Sequence, residues 1–273
     1  MTLQLDHLVH GVVEPEKAAA EAARRFGWRT VPGGRHVDWG TFNHLSYFDG
    51  CYLEWVSVFD AKLAHTTEFG KWVAADLERG EGIQQMALRT RRMDELVAAW
   101  RTDGLPFVGP IPGRRQRPDG SWLRWRLLFP VRSRLDDFPL PFLIEWEDDD
   151  AAREAALVAS GALAEARAER PQWVAVESLV ADPAALTQVW NRWFGRAGAE
   201  MKWQSEVGQA VVESAGPLLV FRAPATAAEA EVHRRRGDRP AILRVAAPAA
   251  SESHIIGDFH GVTVVQSFAS KKC

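Results

Sequence analysis

His7 with Glu54 and Gln85 with Glu145, at matching strand positions of a duplicated unit, are the side chains best suited to chemistry. Each glutamate lies in a short apolar phrase, Leu53-Glu54-Trp55 or Ile144-Glu145-Trp146, that reads as buried strand. A carboxylate taken out of water is costly unless a cation or hydrogen-bond donors compensate it. Two of them in matching places point to one site shared by two copies. Side chains alternate faces along a strand. His7 therefore shares a face with Val9 and Gly11, and Glu54 with Tyr52 and Val56. The second copy offers Gln85, Ala87 and Arg89 on its first strand and Leu143 with Glu145 on its last. Curling two such sheets into a common bowl brings four nitrogen and oxygen donors together. That set suits Mn, Ni, Mg or Zn rather than copper. Glu54 and Glu145 are the candidate general bases, Glu145 the stronger because its copy otherwise offers only a glutamine. The plainer readings are a His7 bonded to backbone and glutamates paired with Arg89, Arg124 or Arg126.

The elements that would position these residues follow from punctuation and periodicity. Leu3 to Val13 is a strand. Glu14-Pro15 opens a helix, because proline suits the first turn and an acid suits its dipole. Ala18, Ala19, Ala22, Ala23 and Phe26 give that helix its apolar face, and Gly27 ends it. A loop at Gly33-Gly34 precedes strands at Phe42 to Phe48 and Tyr52 to Phe59, joined by the turn pair Asp49-Gly50. The second copy has a strand at Ile83 to Thr90, a helix at Met93 to Arg101, and strands at Trp122 to Phe129 and Phe142 to Trp146. Pro15 lies 11 residues before Phe26, and Pro183 lies 11 before Phe194. That match marks a third copy. No fourth helix is legible. The expected fold is α+β, with repeated βαβββ modules forming two cupped mixed β-sheets and helices on the convex side. The expected domains are residues 1–148 (modules 3–59 and 82–148), a helical connector over 149–171, and a degenerate second domain over 172–273.

The chain resembles the vicinal oxygen chelate superfamily, the glyoxalase and bleomycin-resistance group, and within it the glyoxalase-like branch. The residues that carry the likeness are Asp6-His7-Leu8, Gly33-Gly34-Arg35-His36, Trp39-Gly40-Thr41-Phe42-Asn43 and Tyr52-Leu53-Glu54. The resemblance implies paired modules around a divalent metal, with ligands from the first and fourth strand of each module. By position those are His7, Glu54, Gln85 and Glu145. With Gln85 in place of a second histidine, extradiol dioxygenase chemistry is not implied. Family glyoxalases carry an arginine four residues after a first-strand ligand, and Arg89 alone matches it. Arg35, His36, Trp39, Asn43, Arg89, Trp122 and Trp125 are the candidate substrate contacts. Sliding the first module by 168 residues puts Ala175 where His7 stood, so the third copy does not repeat the site.

Composition narrows the rest. A net charge of −3 offers no field for nucleic acid or anionic membrane. The arginine runs at 114–115 and 234–236 lack interleaved aromatics, which argues against a nucleic-acid partner. No stretch approaches the roughly 20 apolar residues that span a bilayer, and the start does not read as a signal peptide. Two cysteines exclude a disulfide framework. The expectation is a cytoplasmic glyoxalase-like lyase or isomerase that uses a divalent metal on a small oxygenated substrate, with a homodimer left open. The alternative is a metal-free protein that sequesters a small molecule in a cup lined by some of its 12 tryptophans.

Overall fold

A computed structural model describes residues 3–116, 120–131, 137–213, 216–247 and 254–268. In chain order, the first copy comprises β1 (Gln4–Gly11), α1 (Pro15–Phe26), β2 (Thr30–His36), β3 (Thr41–Tyr47) and β4 (Tyr52–Val58), followed by α2 (Ala61–Ala64) and α3 (Glu68–Leu77). The second copy comprises β5 (Gly82–Arg89), α4 (Met93–Thr102), β6 (Phe107–Gln116), β7 (Trp122–Pro130) and β8 (Phe142–Trp146), and α5 (Asp150–Ala159) follows it. The third is β9 (Gln172–Leu179), α6 (Pro183–Phe194), β10 (Lys202–Gln204), β11 (Gln209–Val212) and β12 (Leu218–Arg222). Then come α7 (Ala227–Arg236), β13 (Arg239–Ala247), β14 (His254–Phe259) and β15 (Val262–Phe268). The fold is α+β, with its strands in two mixed sheets.

Contacts group the chain into two units. One holds His7–Gln84, Ala151–Val174 and Ala241–Cys273; the other holds Met1–Asp6, Gln85–Asp150 and Ala175–Pro240. They are called here the His7 unit and the Gln85 unit. In the His7 unit the strand order is β2-β3-β4-β1, with β1 and β4 parallel. The Gln85 unit repeats it as β6-β7-β8-β5, with β5 and β8 parallel, and as β10-β11-β12-β9.

Local chemistry explains the helices. Pro15 is the first residue of α1, and Gly27 closes it in the left-handed region (φ +69°), donating its N–H to the Ala23 carbonyl at 3.1 Å. Only glycine adopts that conformation without strain. The third copy ends differently. Gly195 stays helical (φ −57°), a short 3₁₀ turn follows, and Gly198 (φ +82°) takes the left-handed position. Ala18, Ala19, Ala22 and Phe26 are buried, and α1 packs on β2, β3 and β4. Burial holds the His44 imidazole of β3 below its ordinary range, with Glu16 of α1 opposing. His44 and its cross-strand partner Trp55 therefore face α1. Asn43, Leu45, Tyr52 and Glu54 point to the other face.

Two expectations need correction, and three helices were left unplaced by the sequence pattern. Gly33-Gly34 lies inside β2, whose pairing with β3 shifts register between Pro32 and Gly34. Ala61–Ala64 and Glu68–Leu77 form α2 and α3, which sequence periodicity did not place. The helix expected across the connector stops at Ala159. α7, which joins β12 to β13 as α2 and α3 join β4 to β5, is capped by Thr226, whose hydroxyl accepts the Glu229 N–H at 3.2 Å. Only Arg236 of α7 is buried, so no apolar stripe announced it.

Tryptophan builds much of the core. Trp55, Trp100 and Trp190 are wholly or almost wholly buried. In the Gln85 unit, Trp100 donates its indole N–H to the Trp193 carbonyl at 3.1 Å, and Trp190 donates to Ala199 at 2.7 Å. Truncating such a residue to alanine costs roughly 3–5 kcal/mol.

Candidate functional site

In the His7 unit the parallel register pairs His7 with Tyr52 and Val9 with Glu54, so His7 and Glu54 point to one face of neighbouring strands. The His7 ring stacks on Tyr52 with centroids 4.4 Å apart. Its Nε2 lies 3.6 Å from Glu54 Oε2, just beyond hydrogen-bond length. The other carboxylate oxygen is taken: Asn43 Nδ2 donates to Glu54 Oε1 at 2.5 Å. His7, Asn43 and Glu54 are each at most 6% exposed. Such a site raises the electrostatic weight of every polar contact in it.

The chain of contacts extends outward. Asn43 Nδ2 is also 3.4 Å from His36 Nε2, and His36 Nδ1 is 2.9 Å from Thr41 Oγ1. An amide nitrogen carries two hydrogens, one for Glu54 and one for His36. In the tautomer with the ring proton on Nδ1 toward Thr41, Nε2 of His36 is the acceptor for the second hydrogen. The half-buried His36 ring packs against Trp39 and Phe69, with centroids 5.4 and 6.1 Å away. Sequence reasoning gave no role to Tyr52, Thr41 or Phe69. Tyr52 was legible as the residue two before Glu54, whereas Phe69 lies on a helix that periodicity did not place. Arg35 does not join the group. It pairs with Phe42, on the face opposite His36, and its guanidinium covers the Phe59 ring at 4.8 Å.

The Gln85 unit is built differently at the corresponding positions. Where Val9 pairs with Glu54, the equivalent Ala87 pairs with Phe142. Phe142 is therefore the counterpart of Glu54. Gln85 and Ala87 share a face with Phe142, Ile144 and Trp146. Glu145 points the other way, toward α4. Its Oε1 accepts the Met93 N–H at 3.1 Å, and its Oε2 accepts from Arg126, whose Nε is 3.1 Å away. Arg126 continues to Asp94 at 2.8 Å. Hydrogen bonds that Arg126 donates to Asp94 and then to Glu145 raise its pKa, and the same guanidinium lowers that of Asp94. Arg92, at the N-cap position of α4, makes no side-chain cap. Glu145 supplies that cap from the sheet, with its charge at the positive end of the helix dipole.

The remaining candidates of this unit are also engaged. Gln85 donates Nε2 to the Leu140 carbonyl at 3.3 Å. Arg89 bonds the Gln4 side chain and the Leu5 carbonyl, and its Nε lies 3.3 Å from Asp150. Trp125 packs on Trp146 at 5.4 Å, and the Trp146 indole donates to Asp6 at 3.0 Å. Trp122 lies on the opposite face of β7 from Trp125, 40% exposed, with Arg114 over its ring at 4.9 Å. In the third copy, Leu218 pairs with Ala175 as Tyr52 pairs with His7. A buried carboxylate that sequence reasoning did not use, Glu177, lies beside it and pairs with Arg222 at 2.9 Å.

The donor set does not fit the divalent centre that the superfamily implies. Of the four expected ligands, His7 and Glu54 face one another, while Gln85 and Glu145 lie on opposite faces of their sheet. Among the described residues, no three His, Cys, Asp or Glu side chains group as ligands.

The paired β-α-β-β-β modules define a protein of the vicinal oxygen chelate class. Within that class a model of the glyoxalase-like domain matches residues 5–194, and the chain belongs to that family. No curated protein matches it. Among solved structures, a hypothetical protein from Staphylococcus aureus is similar at 17% identity and TM-score 0.79, over 97% of this chain and 99% of that one. A mutant 4-hydroxymandelate synthase from Streptomyces coelicolor is similar at 11% identity and TM-score 0.54, over 90% of this chain and 71% of that one. A methylmalonyl-CoA epimerase from Streptomyces coelicolor reaches TM-score 0.40 at 18% identity, over 54% of this chain and 100% of that one.

Proposed function

We propose that the chain is a glyoxalase-like enzyme, a lyase or isomerase that moves a proton on carbon beside a carbonyl in a small oxygenated substrate. The observation that carries this reading is the divided Glu54 carboxylate. Oε1 is held by Asn43 at 2.5 Å, and Oε2 faces His7 Nε2 at 3.6 Å. A base needs one oxygen to orient it and another to receive the proton, within about 2.6–3.2 Å of the hydrogen-bearing atom. Glu54 Oε2 takes the proton from carbon. His7 Nε2–H supplies a hydrogen bond to the substrate oxygen as charge develops there. Return of the proton by Glu54 to the neighbouring carbon gives an isomer. Loss of a β-substituent gives a lyase product. A positioned general base contributes roughly 10²–10⁴-fold to such a step.

The sequestering alternative draws less support. It needs tryptophans along a cup, yet Trp125 is buried against Trp146 and Trp122 points from the other face of its strand.

Carbon-bound deuterium reports the proton transfer whatever product is formed. The protein is incubated in D₂O with a panel of small 2-oxo and 2-hydroxy acids, their esters and thioesters, and deuterium uptake at carbon is followed by NMR. The reading expects exchange into at least one compound, reduced about 100-fold or more by Glu54→Gln. Exchange by the variant at the wild-type rate removes Glu54 from the mechanism. No exchange across the panel removes the reading itself.

A further inference from the structure

We infer that this site works without a divalent metal, its chemistry carried by His7 and Glu54 as an acid–base pair; the inference rests on the reaction class proposed above. Two independent features of the Gln85 unit support it. The strand position that would supply a carboxylate ligand is occupied by Phe142, which is 1% exposed and packs against Phe129 with centroids 5.3 Å apart. An aromatic ring there offers no lone pair to a hard cation. The nearby carboxylate is already used. Glu145 receives the Met93 N–H and the Arg126 guanidinium on the α4 side of the sheet.

Geometry blocks an easy rearrangement. Bringing Glu145 to the Gln85 face means slipping β8 by one residue, because side chains alternate with a period of two. That slip would also send Phe142, Ile144 and Trp146 to the helix side and Leu143 off it. All four are buried at 8% exposure or less. It would break the Trp146–Asp6 hydrogen bond and remove the cap of α4 as well.

The His7 unit bears the matching signs. Glu54 Oε1 is engaged by an amide N–H, a donor that competes with a cation for the same lone pairs. Asn43 is itself held by His36, which Thr41 holds in turn. The contacts on Glu54 are those of an oriented base. The electrophilic role a metal would fill passes to His7 Nε2–H, and stacking on Tyr52 fixes the ring that bears it.

The experiment uses metal ions alone on the full chain. Wild type, His7→Ala and Glu54→Gln are titrated with Mn²⁺, Ni²⁺, Zn²⁺ and Mg²⁺ by calorimetry, then desalted for elemental analysis. Circular dichroism confirms that each variant is folded. The inference expects no stoichiometric ion whose binding differs between wild type and variants. About one ion per chain in wild type, absent from either folded variant, overturns it. The metal titration reads out independently of substrate, so it stands even where the deuterium assay shows no turnover. Where turnover is found, wild-type exchange should be unchanged in excess chelator. Exchange lost to chelator and restored by one of these ions overturns the inference while leaving the reaction class intact.

Discussion

Glu145 is held by Arg126 on the face of β8 that looks toward the first turn of α4. The sequence phrase Ile144-Glu145-Trp146 copies Leu53-Glu54-Trp55, yet the two glutamates have opposite orientations relative to their first-strand partners. The consequence is a division of labour between chemically identical residues. Glu54 faces His7 and Asn43 and is the base of the proposed reaction, and Glu145 is a helix cap and an ion-pair partner.

Glu145→Gln and Glu145→Ala should therefore act on stability. Loss of a capping carboxylate costs roughly 0.5–2 kcal/mol. The expected outcome is a lower denaturant midpoint for both variants, with the deuterium-exchange rate unchanged. A folded Glu145→Gln protein that has lost exchange would return Glu145 to the catalytic group.

Gly33 leaves room for the Asn43 amide. A Cβ built at Gly33 would come 1.9 Å from Asn43 Oδ1, the free end of a side chain that can move. Gly33→Ala should displace that amide and loosen its hold on Glu54. We expect a loss of exchange of about 10-fold or more with little change in thermal midpoint. Unchanged turnover would show that Asn43 does not orient the base.

Asn43 can also be probed directly. Asn43→Asp places a second acid against Glu54 Oε1, whereas Asn43→Gln keeps the amide on a longer stem. The aspartate variant should move the pH–rate profile to higher pH, because a like charge opposes ionisation of Glu54. A profile that only drops in height, with no displacement, would assign Asn43 a packing role.

Much of the architecture was legible in the sequence. β1, α1, α4, α6 and β4 are marked by apolar periodicity, Pro15 and Pro183, and the turn pair Asp49-Gly50. β2 was hidden because its paired glycines read as a loop, and α7 because Ala, Glu and Arg without a buried stripe leave no period. The candidate site divides along a similar line. That His7 and Glu54 share a face was legible because both lie near the start of unbroken strands, where alternation fixes their direction. Glu145 was misread because its phase depends on where β8 meets β5, which is a tertiary choice. Ala87 meeting Phe142 is not encoded in the local pattern around either residue.

The ion pair between Arg222 at the end of the third copy and Glu229 of α7 supplies a pH prediction. Glu229 is brought down to about 2, first by its hydrogen bond to Arg222, against desolvation and with help from the Ala225 N–H. A depressed acid contributes stability above its unfolded value, near 4.5, and loses it as pH falls toward about 2. The stability gap between wild type and Glu229→Gln should therefore be full at neutral pH and shrink between those two values. Denaturant melts at pH 7, 4 and 3 measure it. A gap that widens on acidification would contradict the assignment.

One rate comparison bears most directly on the mechanism: deuterium uptake by wild type, Glu54→Gln and Glu145→Gln, run side by side in chelator on the same responsive compound. Wild type and Glu145→Gln should exchange at equal rates while Glu54→Gln falls by two orders of magnitude or more. Equal loss in both glutamate variants, or silence of the wild type once chelator is added, would contradict an acid–base pair confined to His7 and Glu54.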